Sequence, residues 1–159
     1  MTLKSCMKRR VISASPYITL RAAAHILIEN HIGSLPIVDD QSRLIGFLSI
    51  RDLIALAMPD FVNLIDRLDF IRDFGAVEQE LPDAALLDMP VVQIMHQPIY
   101  LTETSGMIRA LALLHEHKIS DLPVVDDQMH LVGIASYVDI GVALMRNWET
   151  VDPQDGPGG

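Results

Sequence analysis

"LPIVDDQSRLIGFLSIRD" spans Leu35–Asp52 and "LPVVDDQMHLVGIASYVD" spans Leu122–Asp139, two versions of one sentence in a chain of 159 residues. Both keep Leu-Pro, Val-Asp-Asp-Gln, Leu-x-Gly and Ser-x-x-Asp, at a constant offset of 87 residues (122 minus 35). Extended to 32–53 and 119–140, the copies align without a gap, and half of the aligned positions are identical. Self-similarity at fixed spacing marks a repeated structural unit. The duplication therefore organises the rest of the chain.

Each copy parses into the same elements. "LPIVDD" and "LPVVDD" predict short strands ending in acidic turn residues. "RLIGFLS" and "HLVGIAS" predict second strands, rich in bulky and β-branched residues. The polar Asp-Asp-Gln between them suits a tight reversal, so each pair reads as a hairpin. Upstream lie amphipathic helices, with Leu20, Ala23, Ala24 and Leu27 on one stripe and Met107, Ala110, Leu111 and Leu114 on the other. Before those helices come the β-prone pieces Val11-Ile12-Ser13 and Ile99-Tyr100-Leu101. After each Ser, "RDLIALAM" and "VDIGVALMRNW" begin second helices. The unit is β-α-β-β-α, twice.

A three-stranded sheet with two helices is too small to bury its own apolar face, so the two copies are expected to pack as a pseudo-twofold pair. The predicted organisation is a first repeat over 1–58, an acidic helical insert and linker over 59–90, a second repeat over 91–148 and a disordered tail over 149–159. In the insert, Phe61, Leu64, Ile65, Leu68 and Ile71 form a helical stripe, with Asp60 to cap it and Gly75 to end it. "AVEQELPDAALLDMP" adds a short helix and a linker. The tail "DPQDGPGG" has turn-formers and nothing to bury.

Bulk properties exclude several functions. Half of the residues are hydrophobic, the formal charge is −9 and the pI is near 4.9. That balance argues against nucleic-acid binding, which needs an extended basic face. A small anionic ligand remains compatible, because a local nest of donors holds phosphate against an unfavourable overall field. No apolar run reaches the ~18 residues of a membrane span, and no signal peptide is seen, so a cytoplasmic protein is expected. Cys6 is the single cysteine, with no base nearby in sequence to activate it. His115-Glu116-His117-Lys118 places its histidines two residues apart, on different helical faces, so it reads as a cationic helix end rather than a metal site. No paired carboxylates, Ser/His/Asp set or Gly-rich phosphate loop stands out. The chain reads as a non-enzyme with no metal.

Taken together, Ile32-x-x-Leu35-Pro36-Ile37-Val38-Asp39, Leu44-Ile45-Gly46 and Ser49-Ile50-Arg51-Asp52, with their second copies from Ile119 to Asp139, resemble the CBS-domain pair. That tandem is named for cystathionine β-synthase and is also called a Bateman module. "VVQIMHQP" from Val91 to Pro98 resembles the lead-in of such a repeat. The resemblance covers about residues 4–57 and 91–147. It implies an α/β (α+β) fold and a regulatory ligand-binding module. Members commonly bind AMP, ADP, ATP or S-adenosylmethionine in clefts between the repeats, with no tightly bound cofactor. The Asp of Ser-x-x-Asp then holds ribose hydroxyls.

Carried over residue by residue, the resemblance implies two clefts. One combines Ser49 and Asp52 with Ile99, Ile119 and Ser120. The other combines Ser136 and Asp139 with Ile12, Ile32 and Gly33. Phe47 and Ile134, two residues before each Ser, are candidates to pack on the base, or are plain core strand. Ser-x-x-Asp before an apolar helix is also the capping-box signature. The two readings are compatible, since a helix N-terminus exposes donors and a positive dipole end. The phosphate end matches less well: where some relatives carry a base before Leu-Pro, this chain has Ser34 and Asp121. Arg51, which Val138 does not replace, and the group Lys8, Arg9, Arg10 and Arg21 place basic residues with the first half, so the clefts should be unequal. A homodimer through the second helices is expected. The competing reading is a ligand-free dimeric scaffold that meets an unidentified protein partner through the Phe61–Phe74 helix.

Overall fold

The computed structural model describes residues 1–57 and 82–150. The expected insert helix over Phe61–Phe74, its cap Asp60 and terminator Gly75, and the tail from residue 151 onwards lie outside the described residues.

The elements follow the doubled pattern. Helix α1 (Leu20–Asn30), strands β1 (Ser34–Val38) and β2 (Leu44–Ser49) and helix α2 (Ile50–Ala57) make the first repeat. A short helix α3 (Ala84–Leu87) follows. Strand β3 (Leu101–Thr102), helix α4 (Met107–His117), strands β4 (Asp121–Val125) and β5 (Leu131–Ser136) and helix α5 (Tyr137–Arg146) make the second. Helix α3 is the short helix expected before Pro90, with Asp83 as its cap accepting from the Ala85 N–H at 3.1 Å.

In the second repeat β3 pairs parallel with β4, and β4 pairs antiparallel with β5. In the first, β1 pairs with β2, and the leading strand is reduced to one parallel bridge between Ala14 and Ile37. That bridge is the counterpart of Leu101 on Val124. The first leading strand thus pairs just after the expected 11–13, and the second shares Leu101 with the expected 99–101. Pro16 explains why the first ladder stops so soon, because it has no N–H to extend the pairing.

Of the expected helical stripes, Leu20, Ala23 and Leu27 in α1 and Met107, Ala110 and Leu114 in α4 are buried, whereas Ala24 and Leu111 are half-buried at their edges. Both helices end on a left-handed residue, His31 (φ 50°) and Lys118 (φ 53°). Both hairpins turn through another, Ser42 (φ 61°) and Met129 (φ 68°). None of the four is glycine. Each pair obeys the repeat offset, so the turn geometry is duplicated along with the sequence. His115 and His117 lie in the last turn of α4, facing the negative dipole end as predicted.

The packing units differ from the sequence repeats. One unit comprises Ile12–Asp40 and Ile45–Pro98; the other comprises Met1–Val11, Gln41–Leu44 and the chain from Ile99 on. They are called the first and second unit below. Each has its own apolar cluster. Val91, from the lead-in of the second repeat, is fully buried in the first unit beside Leu20, Leu35 and Leu48. Leu3 and Met7, from the lead-in of the first repeat, are buried in the second unit beside Leu114, Leu122 and Ile140. The lead-ins are exchanged.

Candidate functional site

The exchange explains the repeated glycine. A Cβ on Gly46 would collide with the Met95 sulfur, and one on Gly133 would lie 3.0 Å from the Met7 sulfur and 3.1 Å from the Lys8 carbonyl. Each Leu-x-Gly is therefore the floor on which the lead-in methionine lies. Beside each methionine the lead-in backbone joins the hairpin strand. His96 and Phe47 exchange N–H···O bonds of 2.9 and 3.0 Å, and Lys8 and Ile134 exchange bonds of 2.8 and 2.9 Å. Phe47 is buried and Ile134 half-buried at these bridges, so both are strand residues at the lead-in junction.

Two residues further on, the strand ends at Ser-x-x-Asp. In the first unit the Ser49 N–H and hydroxyl both donate to Asp52 Oδ2 at 2.8 Å, and the Asp52 N–H donates to Ser49 Oγ at 3.2 Å. In the second unit the Ser136 N–H and hydroxyl donate to Asp139 Oδ2 at 3.1 and 2.7 Å, and the Asp139 N–H returns a bond at 3.0 Å. Both are capping boxes, as the pattern predicts. Their effect is to fix each carboxylate at a helix N-terminus with Oδ2 engaged and Oδ1 pointing elsewhere.

Oδ1 meets a nitrogen-bearing side chain of the exchanged lead-in. His96 Nε2 lies 2.8 Å from Asp52 Oδ1, and Lys8 Nζ lies 3.4 Å from Asp139 Oδ1. The carboxylates are mostly buried (side chains 22% and 17% exposed) whereas His96 and Lys8 are largely in solvent (64% and 66%). Burial alone would raise the Asp139 pKa. The Ser136 hydroxyl and N–H and the Lys8 ammonium outweigh it, leaving the carboxyl below its ordinary value. Nearby, burial and then the Asp139 charge push the Cys6 thiol up, so Cys6 is held as the unreactive thiol.

Neither Lys8 nor His96 was expected at these carboxylates. Lys8, Arg9 and Arg10 read from the sequence as belonging with the first half. Instead all three lie in the second unit, where Lys8 meets Asp139 and Arg9 Nη1 meets Glu103 Oε1 at 2.6 Å. Arg21 stays with the first unit, 3.4 Å from Asp88. The signal for the pair lay in the lead-ins themselves, where Met7-Lys8 matches Met95-His96 at an offset of 88 rather than 87.

The other expected site residues divide between the units. Ile12, Ile32, Gly33 and Arg51 accompany Ser49 and Asp52, and the Gly33 carbonyl accepts from the Ile50 N–H at 2.9 Å. Ile99, Ile119 and Ser120 accompany Ser136 and Asp139, and the Ser120 carbonyl accepts from the Tyr137 N–H at 2.9 Å. Each loop before β1 or β4 is thus bonded to the motif of its own repeat. The grouping of Ser49 and Asp52 with Ile99, Ile119 and Ser120, like its converse, joins residues of different units and stays an expectation. Ser34, before Leu-Pro, is buried, and Asp121 is half-buried at the head of β4 with Ser120 Oγ donating to it at 2.8 Å. Among the described residues no cluster of His, Cys, Asp and Glu could hold a metal ion, and no helix is long and apolar enough to cross a membrane.

This doubled architecture matches known proteins. The CBS domain family model fits residues 3–58 and 91–146, most of the chain. The chain belongs to the CBS-domain family. A CBS domain-containing protein of Dictyostelium discoideum is 28% identical over 155 residues, covering 96% of this chain and 97% of the relative. An inosine-5'-monophosphate dehydrogenase of Bifidobacterium longum is 25% identical over 130 residues, but the match covers only 19% of that enzyme against 80% of this chain. Among solved structures, CBSX2 in complex with AMP superposes with a TM-score of 0.69 at 25% identity, covering 92% of this chain and 98% of that one. A CBS domain pair in complex with 5'-methylthioadenosine and S-adenosyl-L-methionine superposes with a TM-score of 0.67 at 24% identity, covering 92% and 98%. That second likeness speaks to the fold. The architecture is a mixed α/β CBS pair of two β-α-β-β-α repeats.

Proposed function

We propose that this CBS pair is a regulatory module that binds an adenosine-containing ligand, with Asp52 and Asp139 receiving the ribose hydroxyls. The observation that carries the reading is the orientation of the two carboxylates. Each is locked by its serine at a helix N-terminus, and its remaining oxygen meets the tip of a solvent-exposed side chain. A carboxylate so held presents Oδ1 to ribose hydroxyls once that side chain moves aside, and the helix dipole favours the negative charge it retains. CBSX2 supports the ligand class, since it is similar over nearly the whole chain and is solved with AMP.

The protein acts without catalysis in this reading. It works in the cytoplasm, and ligand binding shifts the population of its arrangements or its contacts with a partner. Assembly as a homodimer is supported by apolar side chains left exposed on the helices, among them Ile28, Ile50 and Ile54 on α1 and α2, and Val138, Val142 and Met145 on α5.

Thermal-shift titration with AMP, ADP, ATP and S-adenosylmethionine tests the reading. A ligand at 100 times its Kd should stabilise the protein by about 2.7 kcal/mol, and Asp52→Ala or Asp139→Ala should reduce that gain. No shift with any of the four at millimolar concentration would refute it.

A further inference from the structure

We infer that His96 and Lys8 are latches on the two aspartates, which set the affinity of each site. The inference rests on the reading of Asp52 and Asp139 as ribose holders. A diol needs an open carboxylate edge, and in both motifs Oδ2 is already engaged by the serine. Oδ1 is the oxygen the ligand must win. On Asp52 it is held by His96 Nε2 at 2.8 Å, and on Asp139 by Lys8 Nζ at 3.4 Å.

Both latches are built to open. Their backbones are pinned to β2 and β5 by the reciprocal bonds to Phe47 and Ile134, so the residues stay in place when their side chains swing away. Both side chains are about two-thirds exposed, so a released polar group returns to water rather than to the core. The cost to the ligand is therefore that of breaking one partly exposed polar contact, which is modest and adjustable.

The two latches differ in chemistry. His96 offers a single ring nitrogen at 2.8 Å, whereas Lys8 offers an ammonium at 3.4 Å. The affinity that each latch withholds is therefore set separately at the two sites.

Calorimetric titration with adenosine, which brings no phosphate charge of its own, separates the sites. In Asp139→Asn, where only the Asp52 site is intact, adding His96→Ala should tighten adenosine binding about two- to fivefold. In Asp52→Asn, adding Lys8→Met should tighten it about two- to fivefold. Binding that depends on the aspartates but ignores His96→Ala and Lys8→Met would overturn the latches and leave the ribose reading standing. Absence of adenosine binding in every variant would overturn both.

Discussion

The two units are built from the same sentence and closed by different side chains. Each has a helix N-terminus, a Ser-x-x-Asp locked through Oδ2, a glycine under a methionine and a lead-in borrowed from the other repeat. What differs is the group on Oδ1: His96 at 2.8 Å in one unit, Lys8 at 3.4 Å in the other. Duplication preserved the frame that positions the carboxylate and released the residue that covers it. Inequality between the sites thus arises from the exchanged segment, and not only from Arg51 against Val138 within the motif.

Breaking the frame should cost most and cost equally. Leu35 and Leu122 are equivalent and fully buried, so Leu35→Ala and Leu122→Ala should each lower stability by about 2–5 kcal/mol in denaturant unfolding. Costs that differ widely would show that one core supports the fold more than the other. Gly46→Ala should cost about 1–3 kcal/mol, because the new methyl meets Met95. In a Met95→Ala background the same change should cost markedly less, and a double-mutant cycle measures the coupling.

The aspartates sharpen the comparison through pH. Asp139→Asn should cost about 1 kcal/mol at pH 7, because it removes one arm of a capping box and a charge at a helix N-terminus. Since the Asp139 carboxyl titrates below its ordinary value in the native state, its contribution is present above about pH 4. It is lost as pH falls through the lower native value. The stability of wild type should therefore fall more steeply than that of Asp139→Asn on the acid side of pH 4, as acid unfolding followed by circular dichroism would show. The smallest effect belongs to the turns: Ser42→Gly and Met129→Gly should each stabilise by about 0.5–1 kcal/mol, by relieving a left-handed backbone in a residue with a Cβ.

Much of this was legible in the residues. The period-3.6 stripes around Leu20 and Met107 and the β-rich runs around Asp-Asp-Gln are local signals, and local signals predicted local elements correctly. The capping boxes were also legible, because Ser-x-x-Asp acts within four residues. What could not be read was where the lead-ins pack. Nothing between Leu3 and Arg10 states that Leu3 and Met7 bury themselves beside Leu122 rather than Leu35, since either core accepts an apolar side chain. Lys8 consequently looked like a neighbour of the wrong motif, and His96 drew no notice. The repeated glycines were visible as letters, but their cause lies some 50 residues from Gly46 and well over 100 from Gly133 along the chain.

The claim beneath the whole account is that Asp52 and Asp139 receive a ribose diol. Calorimetric titration of wild type with adenosine and with 2',3'-dideoxyadenosine tests it most directly, because the two differ only in the hydroxyls the carboxylates would accept. The dideoxy compound should bind at least about tenfold more weakly, the loss expected when hydrogen bonds to a charged acceptor go unmade. Equal affinity for the two compounds would contradict the account and leave Ser-x-x-Asp as a pair of helix caps.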